Sequence, residues 1–137
     1  MIRAAVFDLD GTLLDLPIDY LGLYKKFSEL MGTTKVRPIL KTVAQIKDPK
    51  VLQQVFDAWT KFERDIIDKI VIHEEGMKLY KKYEELPKAL VTMQGKETVD
   101  RILKKFELSF DVVLTREDSF SRVQQIMTAS TRLGVTV

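Results

Sequence analysis

The sequence predicts an α/β protein, a parallel sheet of three strands interrupted after its first strand by an inserted block of helices. Three observations carry this prediction. An apolar run at 4–7 ends in two aspartates, Asp8 and Asp10, followed by a Gly-Thr turn, the pattern of a strand that stops at a polar edge. Between 16 and 79 the apolar residues recur at helical spacing and no strand-like alternation intervenes. From 89 onward an apolar run, a helical stretch, a second apolar run and a second helical stretch form a βαβ order, whose right-handed crossover makes the strands parallel.

Taken in order, Ile2, Ala4 and Val6 alternate with Ala5, Phe7 and Leu9, so the first strand is apolar on both faces and belongs in a sheet covered by helices. Pro17 and Asp19 open a helix to Met31, with Ile18, Leu21, Tyr24, Phe27 and Met31 at helical spacing and Gly32 as its stop. A helix is expected at 36–46, with Pro38 in its first turn. Asp48-Pro49, an N-cap then N1 pair, starts a long helix to about Ile70. Its stripe of Leu52, Val55, Phe56, Trp59, Phe62, Ile66 and Ile70 faces a core. A shorter helix at 74–85 turns Met77, Tyr80 and Tyr83 inward. The second strand, 89–91, ends in Thr92-Met93-Gln94-Gly95, and the next helix carries Val99, Ile102, Leu103 and Phe106. The third strand, 112–114, ends in Thr115, and a last helix spans 120–133. The α/β core is thus discontinuous, 1–15 and 80–137, around a helical block at 16–79.

Composition bounds the function classes. At 137 residues, 45% apolar and 31% charged, the chain suits one compact domain or a core with a small insert. Its 22 basic and 20 acidic residues are intermixed and give a net charge of +2, a pattern with no nucleic-acid patch and no polybasic membrane anchor. The absence of cysteine excludes disulfides and thiolate metal sites. Asp8 breaks the N-terminal apolar run, which leaves no signal-peptide core and no transmembrane span, and a cytoplasmic location is expected.

The chemistry lies in Phe7-Asp8-Leu9-Asp10-Gly11-Thr12. D-x-D-G-T arises by chance in roughly one chain per thousand of this length, given average composition. Side chains at i and i+2 of an extended segment leave on the same side, and the chain must turn at Gly11. Two carboxylates then meet at a strand's C-terminal end, where open α/β sheets bind ligands. Close carboxylates repel unless they share a proton or a cation, and Mg²⁺ is held by one or two carboxylates plus phosphate and water. One carboxylate can attack phosphorus while the other manages the leaving-group proton. The lone His73 carries no argument for catalysis.

The stretch from Phe7 to Asp15 resembles the first motif of the haloacid dehalogenase (HAD) superfamily, most of whose members are Mg²⁺-dependent phosphotransferases. The fold this implies is a HAD-like Rossmannoid parallel sheet, with 16–79 as an α-helical cap. The resemblance implies Asp8 as the nucleophile that forms an aspartyl-phosphate and Asp10 as general acid/base, with Asp8 and the backbone carbonyl of Asp10 on the metal. The dehalogenase branch lacks the second aspartate, so Asp10 points to phosphoryl chemistry. Thr92 matches the second motif, a strand-end hydroxyl on the transferring phosphoryl group. The third motif, a basic residue, has Arg122, Arg116 and Lys96 as candidates, with Arg122 favoured by its spacing from Thr115, although the usual Lys-Pro pair is missing.

The fourth motif, further acidic residues after a fourth strand, has no match. No Asp or Glu follows Asp118, and Leu133-Gly134-Val135-Thr136-Val137 falls where that strand should begin. Glu117 and Asp118 read as N-cap candidates for the last helix. Without a fourth strand the Asp8 strand is an exposed apolar edge, which implies either a homodimer through that edge or a truncated form of a longer protein. The expected function is a Mg²⁺-dependent phosphatase acting on a small phosphorylated metabolite, and the alternative is a catalytically deficient HAD-like protein with a binding or assembly role.

Overall fold

The computed structural model describes residues 1–135. In chain order its elements are β1 (Ala5–Phe7), β2 (Leu14–Asp15), α1 (Tyr20–Met31), α2 (Ile39–Ala44), α3 (Pro49–Arg64), a 3-10 turn (Ile67–Lys69), β3 (Val71–Ile72), α4 (Glu74–Lys82), β4 (Lys88–Val91), α5 (Lys96–Lys105), β5 (Val112–Leu114) and α6 (Arg122–Leu133). β1, β4 and β5 form a parallel sheet in the order β1-β4-β5, with Val6 opposite Ala89 and Ala89 opposite Val112. The fold is the mixed α/β architecture that the strand-helix-strand-helix order implies.

Alternation along the strands separates two cores. Phe7 and Leu90 belong to the larger, which also takes Val99 and Ile102 of α5 and the buried side chains of α1 and α3. Ala89, Val91 and Leu114 face the other way and pack with Ala129 of α6. All four residues of β4 are buried, as a central strand requires. β1 departs from the expectation of cover on both faces. Val6, which shares its face with Ala89, is 39% exposed, and Ile2 is 55% exposed. α6 packs on β4 and β5, and among the described residues β1 pairs with β4 alone, so it is an edge strand covered on one side. The expected start of a fourth strand at 133–137 lies partly outside the described residues. Gly134, at φ +74°, ends α6.

The inserted helices follow their signals with three corrections. α1 is capped by Asp19, whose side chain accepts from Gly22 N, and stopped by Gly32 at φ +67°. Its buried residues are Leu23 and Phe27, whereas Leu21 is 79% exposed. The i, i+4 pair Leu23 and Phe27, on the side of α1 away from Leu21, meets α3, where Phe27 packs edge-on against Trp59 with ring centroids 5.6 Å apart. α2 begins only at Ile39, because Pro38 takes an extended conformation as its N-cap instead of the first helical turn. α3 starts as expected at Pro49 behind Asp48, but it ends at Arg64 and not near Ile70. The chain must turn back there so that β3 can pair antiparallel with β2, Leu14 opposite Ile72.

That two-stranded pair was invisible to periodicity, since each strand has two residues. It forms the base of the insertion, so the inserted helices run between 16 and 70. A division at 79 cuts through α4, whose buried Tyr80 packs on the core with Phe7 and Phe110 at centroid distances of 6.1 and 5.6 Å. The Tyr80 hydroxyl also accepts from Ser109 N at 2.9 Å.

The helical register can be checked by mutation. Phe27→Ala should cost about 3–5 kcal/mol in urea unfolding through the cavity it leaves. Leu21→Ala, at a position the sequence alone would place inward, should cost less than about 0.5 kcal/mol.

Candidate active site

The polar end of β1 is shaped by one carbonyl. Leu9 O accepts from Thr12 N, Leu13 N and Leu14 N at 3.3, 3.0 and 3.2 Å, so the chain after Asp8 winds tightly around it. Gly11 makes the winding possible at φ +79°, a conformation that disfavours side chains with a Cβ. Leu9, Leu13 and Leu14 are fully buried and anchor the turn. α4 holds it from behind, where a Cβ on Gly76 would stand 1.7 Å from Thr12 O, so only glycine allows the approach.

This turn sends Asp8 and Asp10 into one cleft of about 210 Å³. Asp8 Oδ1 accepts from Leu9 N at 2.8 Å, and Asp8 Oδ2 lies 2.9 Å from Arg122 Nη1 at the start of α6. Asp10 Oδ1 accepts from Leu16 N at 3.0 Å. Burial raises the Asp10 carboxyl above its ordinary value, and the charges of Asp15 and Asp8 push in the same direction against the lowering hydrogen bond from Leu16. Met93 and Gln94, from the loop after β4, complete the floor. Facing them from the inserted helices are Tyr20, Ile39, Leu40 and Trp59.

Thr92 sits at the end of β4 and is fully buried. By extension of the β1–β4 register it stands abreast of Leu9. Its hydroxyl donates to the Gln94 side chain and accepts from Gln94 N at 3.2 Å, so it meets the cleft through Gln94, which lines it. Of the three basic candidates, Arg122 reaches Asp8. Lys96 is exposed and pairs with Asp100 at 2.8 Å. Glu117 and Asp118 do not cap α6. Ser121 does so, accepting from Gln124 N. Asp118 instead accepts from Thr115 N at 2.8 Å, and Glu117 accepts from Lys96 N at 3.1 Å.

Arg116 has a role that the sequence did not disclose. It is fully buried and lies 3.0 Å from Glu63, also fully buried, in the last turn of α3. Arg116 also donates to Thr60 Oγ1 at 2.9 Å and stacks on Trp59 at 4.4 Å from the ring centroid. Glu63 accepts from Gly95 N at 3.3 Å and from Thr98 Oγ1 at 2.9 Å, which places a carboxylate at the N-terminus of α5. Burial holds the Glu63 carboxyl above the usual range, opposed by Arg116 and its other donors. The signal available in the sequence was an acid near the end of an apolar stripe and a base beside a strand end, 53 residues apart.

As a metal site the cleft offers two carboxylates that repel each other, which a hard cation would relieve, and a donor set of the kind Mg²⁺ shares with phosphate and water. No group of three His, Cys, Asp or Glu side chains gathers to hold a metal among the described residues. None of the described helices is long and apolar enough to cross a membrane.

Two substitutions test this electrostatic picture. Because the folded Asp10 pKa lies above 3.8, the folded state binds that proton more tightly than the unfolded state. Its contribution to stability is therefore lost as pH rises from 3.8 through the folded value. Asp10→Asn keeps the acceptor for Leu16 N and should raise the metal-free melting temperature at pH 7, a gain that vanishes at pH 3. Glu63→Ala strands Arg116 and should cost about 3–5 kcal/mol by chemical denaturation.

No protein-family model matches the chain, and no curated protein matches it in sequence. Solved structures do. A hydrolase from Pseudomonas syringae is 16% identical with a TM-score of 0.73, over 99% of this chain and 73% of that one. A haloacid dehalogenase-like family hydrolase from Streptococcus pneumoniae is 17% identical with a TM-score of 0.64, over 98% and 71%. A HAD phosphatase from Thermococcus onnurineus is 23% identical with a TM-score of 0.60, over 98% and 73%. With its parallel sheet, the aspartates that follow its first strand and its inserted helices, the chain has the fold of the haloacid dehalogenase superfamily hydrolases.

Proposed function

We propose that the protein is a Mg²⁺-dependent phosphatase that hydrolyses a small phosphate monoester through an aspartyl-phosphate on Asp8. The observation that carries this reading is the meeting of Asp8, Asp10 and Arg122 in one cleft at the C-terminal end of β1, under the inserted helices. Asp8 attacks phosphorus in this reading. Asp10, whose carboxyl is raised by burial, holds a proton better than an exposed aspartate and can give it to the leaving oxygen. It then takes a proton from the water that opens the acyl phosphate. A bound Mg²⁺, held by the Asp8 carboxylate and the Asp10 backbone carbonyl, would offset the charge shared between Asp8 and phosphate.

Arg122 is the cation that meets the phosphoryl oxygens, releasing part of its hold on Asp8 as it does so. Thr92 engages the Gln94 Oε1, which leaves the Gln94 amide nitrogen as a donor toward the same oxygens. The inserted helices keep stray water from the phosphoaspartate. A second reading, a catalytically deficient protein that binds phosphorylated ligands, is favoured by one observation, that no three His, Cys, Asp or Glu side chains gather to hold a metal among the described residues.

Turnover of 4-nitrophenyl phosphate decides between them. With Mg²⁺ the wild type should be active, and Asp8→Asn should lower the rate about a thousandfold or more. EDTA should abolish turnover and excess Mg²⁺ restore it. Arg122→Ala should raise KM about tenfold, the loss of one charge-assisted contact. Metal-dependent ligand binding without Asp8-dependent turnover would leave the second reading standing.

A further inference from the structure

Three consecutive residues of the loop after β4 are held by the two members of one buried ion pair. Glu63, from α3, accepts from Gly95 N at 3.3 Å. Arg116, from the loop after β5, donates its backbone N–H to Gln94 O at 3.2 Å and reaches Met93 O with Nη1 at 3.5 Å. Gln94 is thus gripped from both sides, while Glu63 and Arg116 face each other at 3.0 Å with no exposure on either side chain.

The Gln94 side chain has one end committed and one end spare. Its carbonyl oxygen accepts from the Thr92 hydroxyl, and the same hydroxyl accepts from Gln94 N at 3.2 Å, so the amide is fixed at its oxygen. The amide nitrogen meets no acceptor among the described residues, and it is not one of the sealed polar atoms that lack partners. Gln94 lines the cleft together with Asp8, Asp10 and Arg122. A donor on a fixed side chain there is worth most when its backbone cannot drift.

We propose that Glu63 and Arg116 are positioning residues for phosphoryl binding: their buried contact holds the loop at 93–95 so that the Gln94 amide nitrogen meets a phosphoryl oxygen in the cleft. The inference rests on the phosphatase reading for the class of ligand and adds to it the residues that act through Gln94. An ion pair serving only to seat α3 on the sheet has no need to reach the loop, and this one spends bonds on Met93 O and Gly95 N. Because Glu63 comes from the inserted helices, the loop presents Gln94 fully only when those helices are seated.

Two variants loosen the grip without leaving a buried charge alone. Arg116→Lys keeps the counter-charge for Glu63 and loses the fork that spans Glu63, Thr60 and Met93. Gly95→Ala, at a φ of −74° that suits any residue, puts a Cβ 2.7 Å from Arg116 Nη2, the far end of a flexible side chain that can yield. Each is made alone and together with Gln94→Ala, and inorganic phosphate is titrated by calorimetry into the Mg²⁺-loaded proteins at a temperature well below every melting transition. Gln94→Ala should weaken phosphate binding about tenfold, the loss of one donor to a charged oxygen. Arg116→Lys and Gly95→Ala should each weaken it by about fivefold to tenfold, and neither should weaken it further once Gln94 is alanine.

A merely structural pair would lower the melting temperature and leave phosphate affinity alone. Unchanged affinity in both loop variants, losses that add to that of Gln94→Ala, or no phosphate binding by the wild type would overturn the proposal. Asp8-dependent turnover of 4-nitrophenyl phosphate beside phosphate affinities indifferent to these variants would remove this inference and keep the phosphatase. Coupled losses of phosphate affinity in a protein without turnover would do the reverse.

Discussion

The Glu63–Arg116 pair, with no solvent exposure on either side chain, is the interaction on which the arrangement of this molecule depends. Glu63 belongs to the inserted helices and Arg116 to the loop after β5, so their contact fastens one part of the fold to the other. Two charges taken out of water are costly unless every remaining hydrogen-bonding position is filled, and here nearly all are. The carboxylate receives Gly95 N and Thr98 Oγ1, and the guanidinium reaches Thr60 and lies over Trp59. Gly95 must be glycine for this, since a Cβ there would stand 2.7 Å from Arg116 Nη2. An apolar pair of similar volume could hold the helices as firmly. What the ion pair adds is direction, because its hydrogen bonds are satisfied in one placement of α3 over the sheet.

That placement is what makes a cleft. The loop from Thr92 to Gly95 is gripped at its far end by Glu63, and Trp59, one turn before Glu63 on α3, closes the space above Asp8 and Asp10. A force that holds the helices down therefore also sets the distance between the acidic floor and the neutral wall. The floor itself stores repulsion. Asp8 and Asp15 are near enough to Asp10 for each to oppose its ionisation, and burial adds to the effect. A purely structural turn would gain nothing from such crowding, whereas a site for phosphate and a cation would use it.

The sheet shows the same division between support and chemistry. β4 is central, buried on both faces, and carries no group that faces the cleft until its end. Among the described residues β1 is an edge with one face partly open, yet both carboxylates lie at its C-terminal end. It is held by the turn around Leu9 O and the close backing of that turn by Gly76 of α4, more than by pairing along its three residues.

Local signals in the sequence determined most of the elements. Asp19 and Gly32, Asp48 and Pro49, and the apolar runs at 4–7, 89–91 and 112–114 act within a few residues of themselves, through capping, fixed dihedrals and side-chain direction, and so can be read without the fold. The pair Asp8 and Asp10 was legible for the same reason, since a two-residue spacing and a glycine turn bring them together in any context. Other features depend on distant partners and were decided only in three dimensions. Leu21 and Leu23 look alike in sequence, and only the position of α3 turns Leu23 inward. Nothing near Glu63 or Arg116 says that they will meet, because burying a charge is favourable only when its counter-charge and donors arrive from elsewhere in the chain. The sequence by itself determined which strand ends in the paired carboxylates. The tertiary structure decided what faces them, because a neutral wall is a property of packing across the cleft and not of any one segment.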